Sequence, residues 1–93
     1  MRENSIEKRL KNKVEKHGGK ALKFVSPGTR GVPDRIILLP GARTLFVELK
    51  APGKVLRPLQ AKRASELRKL GFIVQCFDSF QAVDDFVRKE FGE

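Results

Sequence analysis

The chain has no tryptophan and no tyrosine, one cysteine and one histidine. Each shortage removes a class of function. A single thiol, Cys76, cannot close a disulfide within the chain, and one cysteine with one histidine cannot make a Cys/His zinc site. Thiol-based nucleophilic catalysis needs a base beside the sulfur, and His17 is the only imidazole on offer. Cys76 instead lies in the apolar run Phe72-Ile73-Val74-Gln75-Cys76-Phe77 and reads as a small packed residue. Most phenylalanines fall in strands or in the last helix, so side chains for stacking on unpaired bases are scarce, which disfavours a small RNA-binding protein. No apolar run approaches the roughly 18 residues of a membrane span. The N-terminus alternates charges and lacks the apolar stretch of a signal peptide. A reducing cytoplasm is the expected compartment, with no membrane partner.

What the chain has in excess is positive charge. Lys plus Arg number 20 against 11 Asp plus Glu, a formal net charge of +9 on 93 residues. An excess of that size points to a polyanionic partner, nucleic acid before an anionic membrane surface. The basic residues are also spread along the chain rather than gathered on one amphipathic helix. The length suits one domain, residues 1–93, with a modest core.

Periodicity and breakers divide the chain into seven elements. Asn4 to Lys16 reads as a helix capped by Asn4 or Ser5 and ended by Gly18-Gly19. Lys20 to Val25 reads as a short strand closed by Ser26-Pro27-Gly28, and a basic loop, Gly28-Thr29-Arg30-Gly31, follows. Asp34 to Leu39 and Arg43 to Lys50 read as the strands of a hairpin around Pro40-Gly41-Ala42. Pro58 suits the first turn of a helix running to about Leu70, where Gly71 ends it. Phe72 to Phe77 is the last strand, and Ser79 caps a final helix with Val83, Phe86 and Val87 as its apolar stripe. The order α-β-β-β-α-β-α predicts an α/β fold, a mixed sheet with helices packed against it.

The hairpin carries the chemistry. If Pro40-Gly41-Ala42 is a three-residue turn, Leu39 faces Arg43, Ile37 meets Leu45, Arg35 meets Val47, and Asp34 lands opposite Glu48. Cross-strand partners share a face with Cβ atoms roughly 4.5–5.5 Å apart. Two carboxylates that close repel, and a hard divalent cation between them removes the repulsion. Lys50, two residues on, shares that face. The other possibility is that both acids pair with nearby cations, as surface carboxylates do.

Two more polar residues interrupt apolar stripes. Glu7 lies in a row with Leu10, Val14 and His17, which places it at the rim of the hairpin site; its spacing from Asn4 equally fits a capping box. Gln60 shares a stripe with Ala64 and Leu67 and points toward the sheet near Lys50, where it holds a water or a ligand, or satisfies a backbone group.

Taken together, Gly31-Val32-Pro33-Asp34, Phe46-Val47-Glu48-Leu49-Lys50-Ala51-Pro52-Gly53 and Leu56-Arg57-Pro58-Leu59-Gln60 resemble the virus-type replication-repair nuclease (VRR-NUC) family, part of the PD-(D/E)XK nuclease superfamily. The resemblance runs from the first helix to the strand containing Val74. It implies a restriction-endonuclease-like core in which Asp34, Glu48 and the backbone carbonyl of Leu49 hold Mg²⁺ or Mn²⁺ and Lys50 stabilises developing negative charge. Glu7 matches the family's acidic residue on the first helix and Gln60 its glutamine after the core motif. Stand-alone copies of this size are similar to phage-encoded proteins, which places the chain in a host cell's cytoplasm. Some of those copies form dimers and cut branched DNA.

A metal-dependent, structure-selective DNA endonuclease is the resulting expectation, one that resolves four-way (Holliday) junctions as a homodimer. Arg30, Arg35, Lys54, Arg57, Lys62 and Arg63 lie on or near the loops around the site and are the expected DNA contacts, while Arg68 and Lys69 read as a solvated helix face. A flap- or nick-directed nuclease of the same chemistry and a non-catalytic DNA-binding module are the alternatives. The joint presence of Asp34, Glu48 and Lys50 argues against the module.

Overall fold

The computed structural model describes residues 2–92. Helix α1 spans Glu3–Lys16, β1 Lys20–Lys23, β2 Arg35–Leu39, β3 Arg43–Leu49, α2 Pro58–Lys69, β4 Ile73–Phe77 and α3 Phe80–Phe91. The order is the predicted α-β-β-β-α-β-α. The strands form one mixed sheet in chain order, β1–β2 and β2–β3 antiparallel and β3–β4 parallel.

Two apolar layers sandwich this sheet. Ile6, Leu10 and Val14, spaced four apart on α1, are wholly buried with Val83, Phe86 and Val87 of α3. They pack on Ile37, Leu39, Leu45, Val47 and Leu49. The opposite face is thinner: Ala64 and Leu67 of α2 cover Phe46, Val74, Phe24 and Ile36. Alternate β3 side chains thus enter different layers, as a two-residue period requires. Arg9 grips Asp84 with two hydrogen bonds of 2.9 Å and lies 4.6 Å over the Phe80 ring, tying α1 to α3. The Arg9 contact holds the Asp84 carboxyl down at about 2.

The hairpin adopts the register expected from its turn, with Leu39 opposite Arg43, Ile37 opposite Leu45 and Arg35 opposite Val47. Element ends differ by a residue or two. The N-cap of α1 is Arg2, without a side-chain cap bond, so neither Asn4 nor Ser5 caps the helix and the Asn4–Glu7 capping box does not form. Glu3 in the first turn and Lys13 and Lys16 in the last complement the helix dipole instead. Strand β1 stops before Val25, which is 75% exposed where the chain turns away toward Ser26.

Gly19 sets the passage from α1 into the sheet. A Cβ there would stand 2.8 Å from both the Leu38 carbonyl oxygen and Val14 Cγ1. Backbone on one side and a fully buried valine on the other leave no room to yield. Gly19→Ala is therefore expected to cost roughly 1–3 kcal/mol, measured as a lower urea midpoint at an unchanged slope.

Candidate active site

The site lies where β2 begins and β3 ends. Regular pairing stops at Arg35 opposite Val47, and one residue earlier Asp34 continues the ladder with its side chain: the Leu49 amide donates to Asp34 Oδ2 at 2.8 Å. The Asp34 carbonyl meanwhile accepts from the Phe24 amide at 2.9 Å, and just past the end of β3 the Lys50 N–H donates to Phe77 O at 3.0 Å. Both ends of the Asp34–Leu49–Lys50 corner are thus fixed by backbone groups.

Glu48 is 3% exposed, a buried carboxyl on the face of the sheet that also carries Phe46. Burial, then a hydrogen bond with Asp34, then the Asp34 charge push its pKa up to about 8; Glu3 adds to the rise and Lys50 opposes it. At neutral pH the Glu48 carboxyl therefore holds a proton. The charge of Lys50 lowers this demand for positive charge without removing it. Two hard oxygen donors held together in a place that favours added positive charge fit a divalent cation such as Mg²⁺ or Mn²⁺. Among the described residues no group of three or more acids, histidines or cysteines gathers here, so a carbonyl or water would have to complete the shell. Cys76, paired with Glu48 across β3–β4, is exposed rather than packed as its apolar run suggested. Partial burial of the thiol and the charges of Glu48, Asp78 and Asp34 still push its pKa up, which keeps it protonated and a poor nucleophile.

The other expected site residues take varied positions. Glu7 receives a 3.0 Å hydrogen bond from Arg35 Nε. Arg35, expected among the DNA-facing cations, is instead buried at 7% exposure, with Nη1 donating to Ala21 O at 2.7 Å. It shares the α1 face of the sheet with Ile37 and Val47, because odd-numbered β2 residues point there. Gln60 Oε1 accepts from the Arg57 amide at 2.9 Å and so satisfies a backbone group at the start of α2. Arg63 is likewise engaged, with Nε on the Arg30 carbonyl at 2.8 Å and Nη1 on Glu66 at 3.0 Å. Lys54 and Lys62 are exposed.

Arg30 and Arg57 flank a groove of about 280 Å³ whose other walls are Gly31, Val32, Leu59 and Gln60. A larger depression, about 400 Å³, lies along α1 between Ser5 and Lys13 and contains no acid. The acid missed from the sequence is Glu3, whose charge acts on Glu48. It stands one helical turn before Glu7 on the same row, so the spacing that selected Glu7 was equally open to Glu3.

No family model matches the chain. Among curated proteins it is 52% identical over 79 residues to "Putative nuclease p44" of Acyrthosiphon pisum secondary endosymbiont phage 1, covering 85% of each protein. Among solved structures it superimposes on a VRR_NUC domain with a TM-score of 0.89 at 30% identity, over 96% of this chain and 97% of that one. The chain belongs to the VRR-NUC family. The Asp34–Glu48–Lys50 corner of this VRR-NUC protein therefore sits in a fold shared across nearly its full length.

The raised Glu48 pKa makes a stability prediction with a definite sign. The unfolded carboxyl titrates near 4.5 and the folded one at about 8, so the folded state binds the proton more tightly. Stability is therefore full below pH 4.5 and falls as the pH rises toward 8. In EDTA, Glu48→Gln is expected to raise the melting temperature at pH 8 and leave it nearly unchanged at pH 4, measured by circular dichroism.

Proposed function

We propose that this protein is a Mg²⁺- or Mn²⁺-dependent, structure-selective DNA endonuclease that resolves four-way junctions as a homodimer. The observation that carries the reading is the buried Glu48 carboxyl against Asp34, with the Lys50 charge beside it. Asp34, Glu48 and the carbonyl of Leu49 would hold the cation. Bound there, it supplies positive charge against the phosphoryl oxygens and activates water for attack.

The chain's own groups do the rest. Asp34 presents one carboxylate edge because Leu49 N–H holds its Oδ2. Glu48, protonated at pH 7, would give up its proton to serve as a ligand, so ion uptake would release a proton. Lys50 places an ammonium where negative charge builds on the phosphate, and this counts for more in a partly dehydrated corner. Glu7 acts through Arg35, which it orients from the opposite face of β2, and Gln60 acts through the first turn of α2. Lys54 and Lys62 carry nonspecific attraction for the phosphate backbone.

A four-way junction has near two-fold symmetry and needs two opposed nicks. One site per chain meets that need if two chains pair about a two-fold axis. The scarcity of stacking side chains favours recognition of duplex shape over base reading.

The test incubates the protein with four-way junction, flap and linear duplex in Mg²⁺, Mn²⁺ or EDTA, beside Asp34→Ala and Lys50→Ala. Metal-dependent junction cutting is expected, falling by at least about 10²-fold in both variants while DNA binding largely persists. Cutting in EDTA would remove the metal mechanism, and binding without cleavage under every condition would favour a non-catalytic module. Calorimetry at pH 7 in buffers of different ionisation enthalpy is expected to detect proton release on Mn²⁺ uptake, and none in Glu48→Gln. A monomeric mass on junction DNA would turn the assignment toward flap or nick cleavage.

A further inference from the structure

The groove between the Arg30–Val32 loop and the first turn of α2 brings two of the expected DNA contacts, Arg30 and Arg57, together with the apolar side chains of Val32 and Leu59. We propose that it is a subsite for one nucleotide of the substrate strand, adjoining the scissile phosphate, with the phosphate on Arg30 and Arg57 and the sugar against Val32 and Leu59. The inference rests on the nuclease reading of the neighbouring acids.

Charge is the first support. Among the described residues the ion pairs engage Arg9, Lys13, Arg35, Arg43, Arg63 and Arg88, and none engages Arg30 or Arg57. Both guanidiniums border the same groove without an acid among its walls, and their planar forks suit phosphate oxygens. The lining is also mixed. Val32 and Leu59 add apolar surface, and Leu59 remains 40% exposed although it faces the groove. A free inorganic anion has no use for such walls, whereas a sugar does. Gln60 uses its Oε1 on the Arg57 amide and keeps its Nε2 hydrogens for a further acceptor.

Rigidity is the second support. Gly31 has φ +86°, and a Cβ there would lie 2.8 Å from Leu59 Cγ and 3.2 Å from the Leu59 carbonyl carbon. The loop therefore presses onto α2 as only glycine permits. Arg63 clamps the same loop through the Arg30 carbonyl at 2.8 Å. A groove shaped before its ligand arrives loses less entropy on binding. Position is the third. Val32 is two residues from Asp34, so their Cα atoms lie within about 7 Å, close enough for the groove to take a phosphate next to the one at the acids.

The test reads binding in EDTA with the full chain carrying Lys50→Ala, so it does not depend on cleavage. Thymidine 5′-monophosphate and a short single-stranded oligonucleotide are titrated while amide resonances are followed. Shifts at Gly31, Val32 and Leu59 are expected with both probes, and they should vanish in Arg30→Ala/Arg57→Ala. With four-way-junction DNA that double variant should bind with a log-affinity against log-salt slope shallower by about 0.9 for each phosphate lost. Arg→Lys at both positions should restore the slope and only part of the affinity. Shifts with the mononucleotide but an unchanged slope would overturn the strand assignment in favour of a free-nucleotide site. An unchanged slope with no shifts at these residues would overturn the subsite altogether. If the nuclease reading fails instead, the unsubstituted protein cuts nothing with any metal while these binding results stand.

Discussion

The structure turns on one uncomfortable burial: a glutamate side chain placed in the sheet's interior against an aspartate, at 3% exposure and with its pKa pushed to about 8. Removing an ionised carboxylate from water is costly, and a second acid alongside raises the cost. The fold accepts this because neighbouring groups leave Glu48 nowhere else to go. The antiparallel register with β2 brings it to Asp34, the parallel register with β4 sets it beside Cys76, and the Phe46 layer closes over the same face. A proton relieves the contact at neutral pH, and a divalent cation would relieve it more fully.

The same logic orders the rest of the charge. Acids elsewhere hold elements together: Asp84 takes Arg9 and Lys13 from α1, and Glu90 takes Arg43 from β3 at 2.7 Å, while Glu66 pairs with Arg63 within α2. Three ion-paired acids, Asp84, Asp85 and Glu90, lie on α3. Neutralisation is concentrated on the α1–α3 layer, while Arg30, Lys54 and Arg57 remain exposed around the loops that flank the acids. The net charge of +9 is not confined to that side, since Lys8, Lys11 and Lys16 on α1 are exposed as well.

Much of this was legible in the chain because the hairpin turn is short and its strands are simple. Pro40-Gly41-Ala42 leaves one comfortable register, and Ile37 opposite Leu45 follows from it, as does the approach of Asp34 to Glu48. Side-chain roles were harder to read where two residues compete for one partner. Arg35 looked like a loop cation because it adjoins Asp34, yet its parity on β2 sends it into the α1 layer, where Glu7 and the Ala21 carbonyl satisfy it. Glu3 and Glu7 occupy the same helical row, and only the packing of α1 on the sheet reveals that the charge of Glu3 acts on Glu48. Gln60 was open to two uses, and the Arg57 amide takes its oxygen. The missing cap at α1 has the same origin: local capping signals at Asn4 and Ser5 yield to a helix that begins one residue earlier.

The sheet's two borders carry a consequence of their own. At β4, Arg68 Nη2 donates to the Val74 carbonyl at 2.7 Å, occupying an oxygen that an incoming strand would otherwise use. At β1, Lys20 and Lys23 stand exposed at either end of a strand only four residues long. Both margins are thus closed to lengthening, one by a guanidinium plug and the other by brevity and like-charge repulsion. The four strands therefore stand as a finished unit, with little backbone left open for another chain to extend them.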